Sequence, residues 1–215
     1  YAAADPKLDG LHLNYYGCVT ALDRAVGKLR ARLRKLGVAK NTLVAFCSDN
    51  GPEGNQNAPG RQGDFKGRKR SLYEGGVRVP SLLEWPARIK PGTSSEVATC
   101  TVDYFPTVLE LVGIEMPDDR PLDGISLVPL FVGKLESRPS PLGFHIRGQA
   151  AWHDGDWKAY CSKVNSHGWE LYNLKDDPYE KKNRAADKLL KLEAMVGAWG
   201  KWKASVETSD KGGDY

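Results

Sequence analysis

The sequence has few of the residues that build metal clusters or disulfide frameworks. Its four cysteines lie singly and far apart, at Cys18, Cys47, Cys100 and Cys161. This spacing excludes a CxxC zinc pattern and leaves disulfides open but unsupported. The histidines in the second half of the chain do not form a metal-ligand spacing; they are His145, His153 and His167. The sequence also lacks an apolar run long enough to span a bilayer.

Targeting information is absent from the first residues. Residues 1–6 lack both the basic segment and the apolar segment of a signal peptide. The sequence does not begin with methionine either. We therefore expect it to be part of a longer protein.

Neither sign of charge is strong enough to indicate nucleic acid. The chain carries 31 Lys and Arg against 27 Asp and Glu, a formal net charge of +4, which suits a basic site for anionic substrates equally well. From about Leu13 to Leu36, apolar residues recur three or four apart, which predicts an amphipathic helix. We interpret the basic residues between them as a solvated face, and Gly37 as the glycine that ends the helix.

Most of the candidate metal-binding and substrate-binding residues lie in the stretch from Ser48 to Pro80. It begins where an all-apolar run, Leu43 to Cys47, stops, and such a run predicts a parallel strand covered on both faces. Asp49 and Asn50 then follow the carboxyl end of that strand, where α/β sheets bind ligands. A carboxylate beside an amide suits Ca²⁺ or Mg²⁺ better than zinc. An Asp-Asn-Gly sequence is more often a simple turn, so these residues alone leave both interpretations open.

A cluster of cations follows the polar loop and precedes Glu74-Gly75-Gly76. Its members are Lys66, Arg68, Lys69 and Arg70. A metal site beside lysine suits an oxyanion ester. The alternative is a solvated basic loop, because the stretch from Arg61 to Ser71 is too basic and too rich in glycine to be core.

Six blocks in this order resemble the C-terminal half of a type I, formylglycine-dependent sulfatase of the alkaline-phosphatase-like superfamily. The blocks are Ser48 to Gly51, Gly67 to Pro80, Thr101 to Thr107, Leu122 to Leu127, Asp156 to Lys158, and Glu170 to Leu174 with Asp177, Pro178 and Asn183. The resemblance runs from about Tyr15 to Trp202.

The resemblance implies an α/β fold, as part of an alkaline-phosphatase-like sandwich with a mostly parallel sheet. Residues 1–138 would form the C-terminal part of the catalytic domain, and residues 139–204 a small subdomain with an antiparallel sheet and a helix. Its strands are expected at 144–147, 157–161 and 170–174, with a hairpin turn at Asp154-Gly155 and a helix over 187–202. Residues 205–215 are expected to be a polar, disordered tail.

The resemblance also implies roles for particular residues. Lys69, five positions before Glu74, would be the catalytic and substrate-binding lysine that holds the sulfate, with Lys66 and Arg68 as alternatives if the loop is shifted. Asp49 and Asn50 would bind the metal, Ca²⁺ or alternatively Mg²⁺. Glu74 and the two glycines after it would mainly serve backbone geometry.

The family's nucleophile is a formylglycine made from Cys or Ser in a Cys/Ser-x-Pro/Ala-x-Arg motif, and no cysteine here has that context. The nucleophile, the first metal-binding aspartates and the catalytic histidines are therefore expected upstream. We expect this chain to be inactive alone and to need a missing N-terminal segment or chain. The complete protein would be a hydrolase of sulfate esters, of a sulfated small molecule or glycan.

Two other functions stay open at this point. One is a non-catalytic anion-binding or interaction module, and the other is a phosphatase or phosphodiesterase of the same superfamily. The latter would favour zinc, and the absence of histidines around Asp49 disfavours it. By family analogy we expect a periplasmic, secreted or lysosome-like location, with neither nucleic acid nor a membrane span involved.

Overall fold

A computed structural model describes residues 3, 7–55, 57–116, 118–166 and 168–214; His167 lies outside them. The chain divides into two compact units. Unit 1 comprises residues 1–71 and 75–92, and unit 2 comprises residues 72–74 and 93–215. The division predicted at residue 138 concerns domains of the complete protein and stays a prediction.

Unit 1 begins with a long helix, α1, over Gly10–Lys35. The Asp9 carboxylate caps its first turn by accepting a hydrogen bond from the His12 N–H at 2.8 Å. Gly37 follows the helix with φ of +74°, which confirms its predicted role at the C-terminal end. A 3₁₀ turn over Ala39–Asn41 then leads to the first strand.

The sheet of unit 1 has two described strands, β1 over Val44–Cys47 and β2 over Ser81–Glu84. They pair antiparallel, with Val44 opposite Glu84 and Cys47 opposite Ser81. The prediction of a parallel strand covered on both faces is therefore not met within the described residues, where Ala45 and Phe46 are exposed. An apolar run indicates that a strand can be buried, but it does not specify which strand pairs with it.

Unit 2 contains a four-stranded antiparallel sheet in the order β3-β4-β5-β6. The strands are Leu142–Ile146, Gln149–Asp154, Trp157–Cys161 and Glu170–Asn173. Three of them were predicted, together with the Asp154-Gly155 turn, where Gly155 has φ of +56°. The prediction missed β4, which pairs with both β3 and β5 and is joined to β3 by Arg147-Gly148, both at positive φ.

The helix predicted near the C-terminus packs against this sheet. This helix, α3, spans Leu189–Asp210. Its Met195 and Trp199 share a core with Ala150, Ala159 and Leu171 of the strands. The prediction of a disordered tail from residue 205 is wrong as far as Asp210, because the helix continues for two further turns.

Earlier in the sequence of unit 2 is a shorter helix, α2, over Tyr104–Val112. Pro106 lies in its first turn, where proline is tolerated, and Gly113 follows its end with φ of +67°. Single helical turns occur at Glu74–Val77 and Val128–Phe131, and a 3₁₀ turn at Thr101–Asp103. None of the described helices combines the length and the apolar character that a bilayer span requires.

Candidate functional site

The loop that carries Asp49 and Asn50 begins directly after β1. The Ser48 N–H donates to the Pro80 carbonyl at 3.3 Å, and the Ser48 hydroxyl donates to the Asn50 carbonyl at 3.1 Å. Asp49 is exposed and Asn50 is half-buried. The strand end thus presents a carboxylate to solvent on a loop that is anchored at its first residue.

Glycines join this loop closely to the turn that contains Gly75 and Gly76. The Gly51 N–H donates to the Gly76 carbonyl at 2.8 Å, and a Cβ added at Gly51 would lie 1.9 Å from the Gly75 carbonyl oxygen. A Cβ at Gly75 would lie 2.3 Å from the Gly67 oxygen. Backbones approach this closely only where side chains are absent, which agrees with the backbone role predicted for the paired glycines.

Arg68 is used inside unit 1. Its guanidinium donates to the Gln62 side-chain oxygen at 2.6 Å, the Glu53 carbonyl at 3.0 Å and the Gly60 carbonyl at 2.8 Å. These bonds close the loop between residues 53 and 62 onto the basic run. Such internal use of its donors disfavours Arg68 as the residue that holds an anionic ligand.

Lys69 makes a looser contact with its neighbours than Arg68 and Arg70 of the same run do. Its N–H donates to the Pro52 carbonyl at 3.2 Å. Its ammonium lies 3.6 Å from the nearer oxygen of Glu53, with its side chain 40% exposed. That separation is a charge contact but is too long for a hydrogen bond.

Backbone contacts bring the predicted site residues into one neighbourhood. Asn50 precedes Gly51, which is bonded to Gly76, and the next residue, Pro52, is bonded to Lys69. Within the described part of the chain, no three His, Cys, Asp or Glu side chains are grouped as a metal site would require. A carboxylate and an amide are oxygen ligands of the kind that Ca²⁺ binds, and Ca²⁺ takes six to eight of them. The roles of Asp49 and Asn50 as metal ligands stay predictions.

Unit 2 holds a buried charge cluster that the sequence did not reveal. The Lys158 ammonium lies 2.8 Å from a carboxylate oxygen of Glu74 and 3.0 Å from one of Glu180. The second oxygen of Glu180 accepts the Glu74 N–H at 2.7 Å. Lys158 and Glu180 are each only 1% exposed. The available signal was a lysine inside an otherwise apolar strand, since buried lysine requires a partner.

Burial displaces the titration of the Glu180 carboxyl. Burial raises the pKa of the Glu180 carboxyl above its ordinary 4.5, and the Lys158 charge opposes that shift. Between pH 4.5 and the folded pKa, Glu180 thus keeps its proton in the folded protein, whereas the unfolded chain has released it. The contribution of Glu180 to stability is full below pH 4.5 and is lost as the pH rises through the folded pKa.

Replacing Glu180 with glutamine should remove this pH dependence. The amide cannot ionise, so we expect the melting temperature of Glu180→Gln, relative to the wild type, to rise as the pH increases from 4.5. Thermal unfolding followed at several pH values measures this difference. Glu193→Gln, at an exposed position of α3, is the charge-matched control. A melting-temperature difference for Glu180→Gln that does not change with pH would contradict the assignment.

Tyrosines surround a second carboxylate in unit 2. The hydroxyls of Tyr73 and Tyr172 both donate to one oxygen of Glu170 at 2.6 Å. The Tyr73 ring stacks on Tyr160, with 3.8 Å between ring centroids. Burial, followed by the bond to Glu170, raises the pKa of both Tyr73 and Tyr172. These phenols are therefore neutral hydrogen-bond donors with a structural role.

Asp103 joins two of the blocks that carry the family resemblance. Its fully buried carboxylate accepts from the N–H groups of Cys100 at 2.7 Å and Ile125 at 2.9 Å. The Arg138 guanidinium donates to both oxygens of this carboxylate, at 2.8 and 2.9 Å. Asp103 thus connects the start of α2 to the loop that begins near Leu122, and its acceptor sites are used for structure.

Comparison with known proteins defines the class of fold first. The solved structure of Ps i-CgsB in complex with k-i-k-neocarrahexaose matches with a TM-score of 0.83 and 32% identity, over 95% of this chain and 46% of that one. The fold is that of the C-terminal portion of an alkaline-phosphatase-like protein, which confirms the predicted fold class.

The family follows from the sequence models. Residues 3–114 match the model described as Sulfatase, and residues 60–196 match the one described as N-sulphoglucosamine sulphohydrolase, C-terminal. The chain belongs to the sulfatase family.

Curated relatives agree with this assignment. Steryl-sulfatase of Rattus norvegicus is 40% identical over 179 residues, covering 75% of this chain and 31% of that protein. N-acetylgalactosamine-6-sulfatase of Mus musculus is 37% identical over 183 residues, covering 82% of this chain and 34% of that protein. The chain thus spans about a third of the length of these relatives.

Proposed function

We propose that the full-length protein containing this chain is a sulfatase, a hydrolase of sulfate esters. Membership of the sulfatase family supports the class of reaction. The observation that carries the proposal for this chain is Lys69, whose ammonium lies 3.6 Å from Glu53 without a hydrogen bond to it, close to a loop of hard oxygen donors. A cation held near a metal suits the developing charge of a sulfuryl transfer.

In this proposal the described residues divide the work of binding. Lys69 holds the sulfate and stabilises charge on the transferring group and the leaving oxygen. Asp49 and Asn50 supply ligands to a Ca²⁺ ion, which offers a fixed positive charge to the sulfate oxygens when bound. Arg68 keeps the basic run folded against the loop around Gly60. The formylglycine nucleophile belongs to a segment outside this chain.

Two features support the proposal that another segment of the same protein packs against this chain in the complete fold. Several apolar side chains of α1, including Leu22 and Leu29, are exposed, although helices of this length usually bury one face. In β1, Phe46 is 38% exposed. A further segment of the same protein, covering these side chains and bringing the nucleophile, would complete the site. By family analogy, the location is outside the cytosol.

The proposed substrate class is a sulfated carbohydrate. Some of the relatives are named N-acetylgalactosamine-6-sulfatase, and Ps i-CgsB, which matches with a TM-score of 0.83, was solved in complex with k-i-k-neocarrahexaose. The steryl-sulfatases among the relatives act on a different class of alcohol by name. Comparing turnover of sulfated oligosaccharides with that of steryl sulfates by the native protein therefore tests this part of the proposal.

Metal removal and Asp49 provide the next test. We expect turnover of a chromogenic aryl sulfate by the native full-length protein to stop with a chelator and to return with Ca²⁺. Asp49→Ala should lower kcat/KM by more than the roughly 10- to 100-fold that loss of an outer-shell partner costs. The matched control is Asp119→Ala, at an exposed position, with activity expected to be unchanged.

Three results would contradict parts of this proposal. Turnover unaffected by chelator and by Asp49→Ala would remove the metal role. Sulfate binding without turnover of any sulfate ester would favour a non-catalytic anion-binding module. Faster turnover of phosphate esters than of sulfate esters would favour a phosphatase or phosphodiesterase.

A further inference from the structure

Glu53 lies where the loop after Asn50 meets the basic run, and its two carboxylate oxygens have different partners. The Oε1 atom accepts hydrogen bonds from the Arg70 guanidinium and from the Gly54 N–H, the latter at 3.0 Å. The Oε2 atom faces the Lys69 ammonium at 3.6 Å. One oxygen is therefore fully engaged, while the other makes a looser contact with the lysine.

The backbone around Glu53 is tied to the same run. The Glu53 carbonyl accepts from the Arg68 guanidinium at 3.0 Å, and the Pro52 carbonyl accepts from the Lys69 N–H at 3.2 Å. Consecutive residues of the loop are thus bonded to consecutive residues of the run. The position of the carboxylate relative to Lys69 is consequently set by main-chain contacts as well as by side chains.

Arg70 has a backbone conformation that disfavours side chains. Its φ is +75°, in the left-handed region that glycine adopts readily and other residues adopt at a cost. Surrounding contacts must maintain such a conformation. The pair with Glu53 is one of these contacts, and the left-handed residue turns the chain immediately after Lys69.

We propose that Glu53, held by Arg70 and the Gly54 N–H, is a positioning residue that orients the Lys69 ammonium toward the bound sulfate without forming a full ion pair with it. This inference rests on the proposed function of Lys69. A flexible lysine loses side-chain entropy when it is ordered, and a carboxylate at 3.6 Å orders it in advance. A closer contact would compete with the sulfate for the same charge.

The charge state of Glu53 suits this role. Chiefly through Arg70, and then through the Gly54 N–H, the pKa of Glu53 is lowered to about 2. The carboxylate is therefore ionised throughout the pH range in which a sulfatase would work. The pair is about half exposed on both sides, so its loss should change stability little.

The first experiment replaces Glu53 with glutamine in the native full-length protein. We expect kcat for an aryl sulfate to fall by roughly 10- to 100-fold, the usual cost of losing a supporting partner. KM should not rise, because a negative charge beside Lys69 has been removed. The melting temperature should be unchanged, and Glu53→Asp should recover part of kcat. Glu193→Gln, at an exposed position of α3, is the charge-matched control.

The second experiment removes the Arg70 guanidinium, which donates a hydrogen bond to Glu53. Arg70→Gly keeps the positive φ without strain and frees the carboxylate to pair fully with Lys69. Titration of inorganic sulfate by calorimetry should then show binding weakened by roughly 2- to 5-fold, the range for one exposed charge contact. Adding Glu53→Gln to this variant should restore binding. Arg147→Gly is the matched control, since Arg147 is also an exposed arginine at positive φ.

The outcomes separate this inference from the proposed function. Unchanged kcat in Glu53→Gln, or equal sulfate binding by Arg70→Gly and Arg147→Gly, overturns the positioning role. A loss of kcat in Glu53→Gln that matches a fall in melting temperature and is not recovered by aspartate overturns it as well. If the wild type binds sulfate but hydrolyses no sulfate ester, the proposed function fails, and the sulfate titrations alone decide the role of Glu53.

Discussion

Lys69→Ala is expected to lower kcat/KM for a sulfate ester by about 10²- to 10³-fold, the range for removal of one donor to a developing oxyanion. The reason is that the ammonium of Lys69 makes a looser contact, at 3.6 Å from Glu53, than the hydrogen-bonded guanidinium groups of Arg68 and Arg70. Steady-state kinetics of the native full-length protein on an aryl sulfate measure the effect.

Two controls make this prediction specific. Lys66→Ala removes the same side chain three positions earlier in the run and is expected to have a much smaller effect. A larger loss for Lys66→Ala than for Lys69→Ala would contradict the assignment and favour the shifted loop. Lys69→Arg retains the charge but changes the shape of the donor group, so activity between that of Lys69→Ala and the wild type is expected.

Lys158→Ala is expected to destabilise the fold by about 3–5 kcal/mol, the typical cost of removing one partner from a buried ion pair. Lys158 is 1% exposed and lies within 3.0 Å of two carboxylates. Without the ammonium, Glu74 and Glu180 would face each other in the protein interior. Urea unfolding followed by tryptophan fluorescence measures the loss, since five of the six tryptophans lie between residues 152 and 202.

A control variant and a rescue variant test whether the loss of stability in Lys158→Ala comes from the buried charges. Lys163 is exposed, and Lys163→Ala should stay within about 0.5 kcal/mol of the wild type. Combining Lys158→Met with Glu74→Gln and Glu180→Gln removes every charge of the cluster and should recover part of the stability. A loss below about 1 kcal/mol for Lys158→Ala, the level of a surface pair, would contradict the burial of the cluster.

Local patterns predicted most elements of the fold. The three-and-four spacing of apolar residues predicted α1, and Gly37 marked its end. The Asp154-Gly155 dipeptide predicted the turn that precedes β5. The strand β4 was missed because its two alanines have low strand propensity and because Arg147-Gly148 was not recognised as a turn. This strand forms because it pairs with β3 on one side and with β5 on the other. Such pairing depends on the neighbouring strands and cannot be read from the residues of β4 alone.

Some residues of the candidate site were predicted from the sequence, and others were found only in the structure. Asp49, Asn50 and Lys69 were selected from short blocks of residue types, and their roles stay predictions. Glu53 was not selected, because an acidic residue in a polar loop looks like many others. Its significance depends on contacts with Lys69 and Arg70, which lie 16 and 17 residues further along the chain.

By itself, the sequence determined the family, the type and order of most elements, and the residues that carry the proposed chemistry. Each of these depends on side chains that are neighbours along the chain. Tertiary structure decided the antiparallel pairing of β1 with β2, the engagement of Arg68, and the cluster in which Lys158 contacts Glu74 from 84 residues away. The physical reason is that partner choice and burial depend on how distant segments pack, and local periodicity carries no information about those partners.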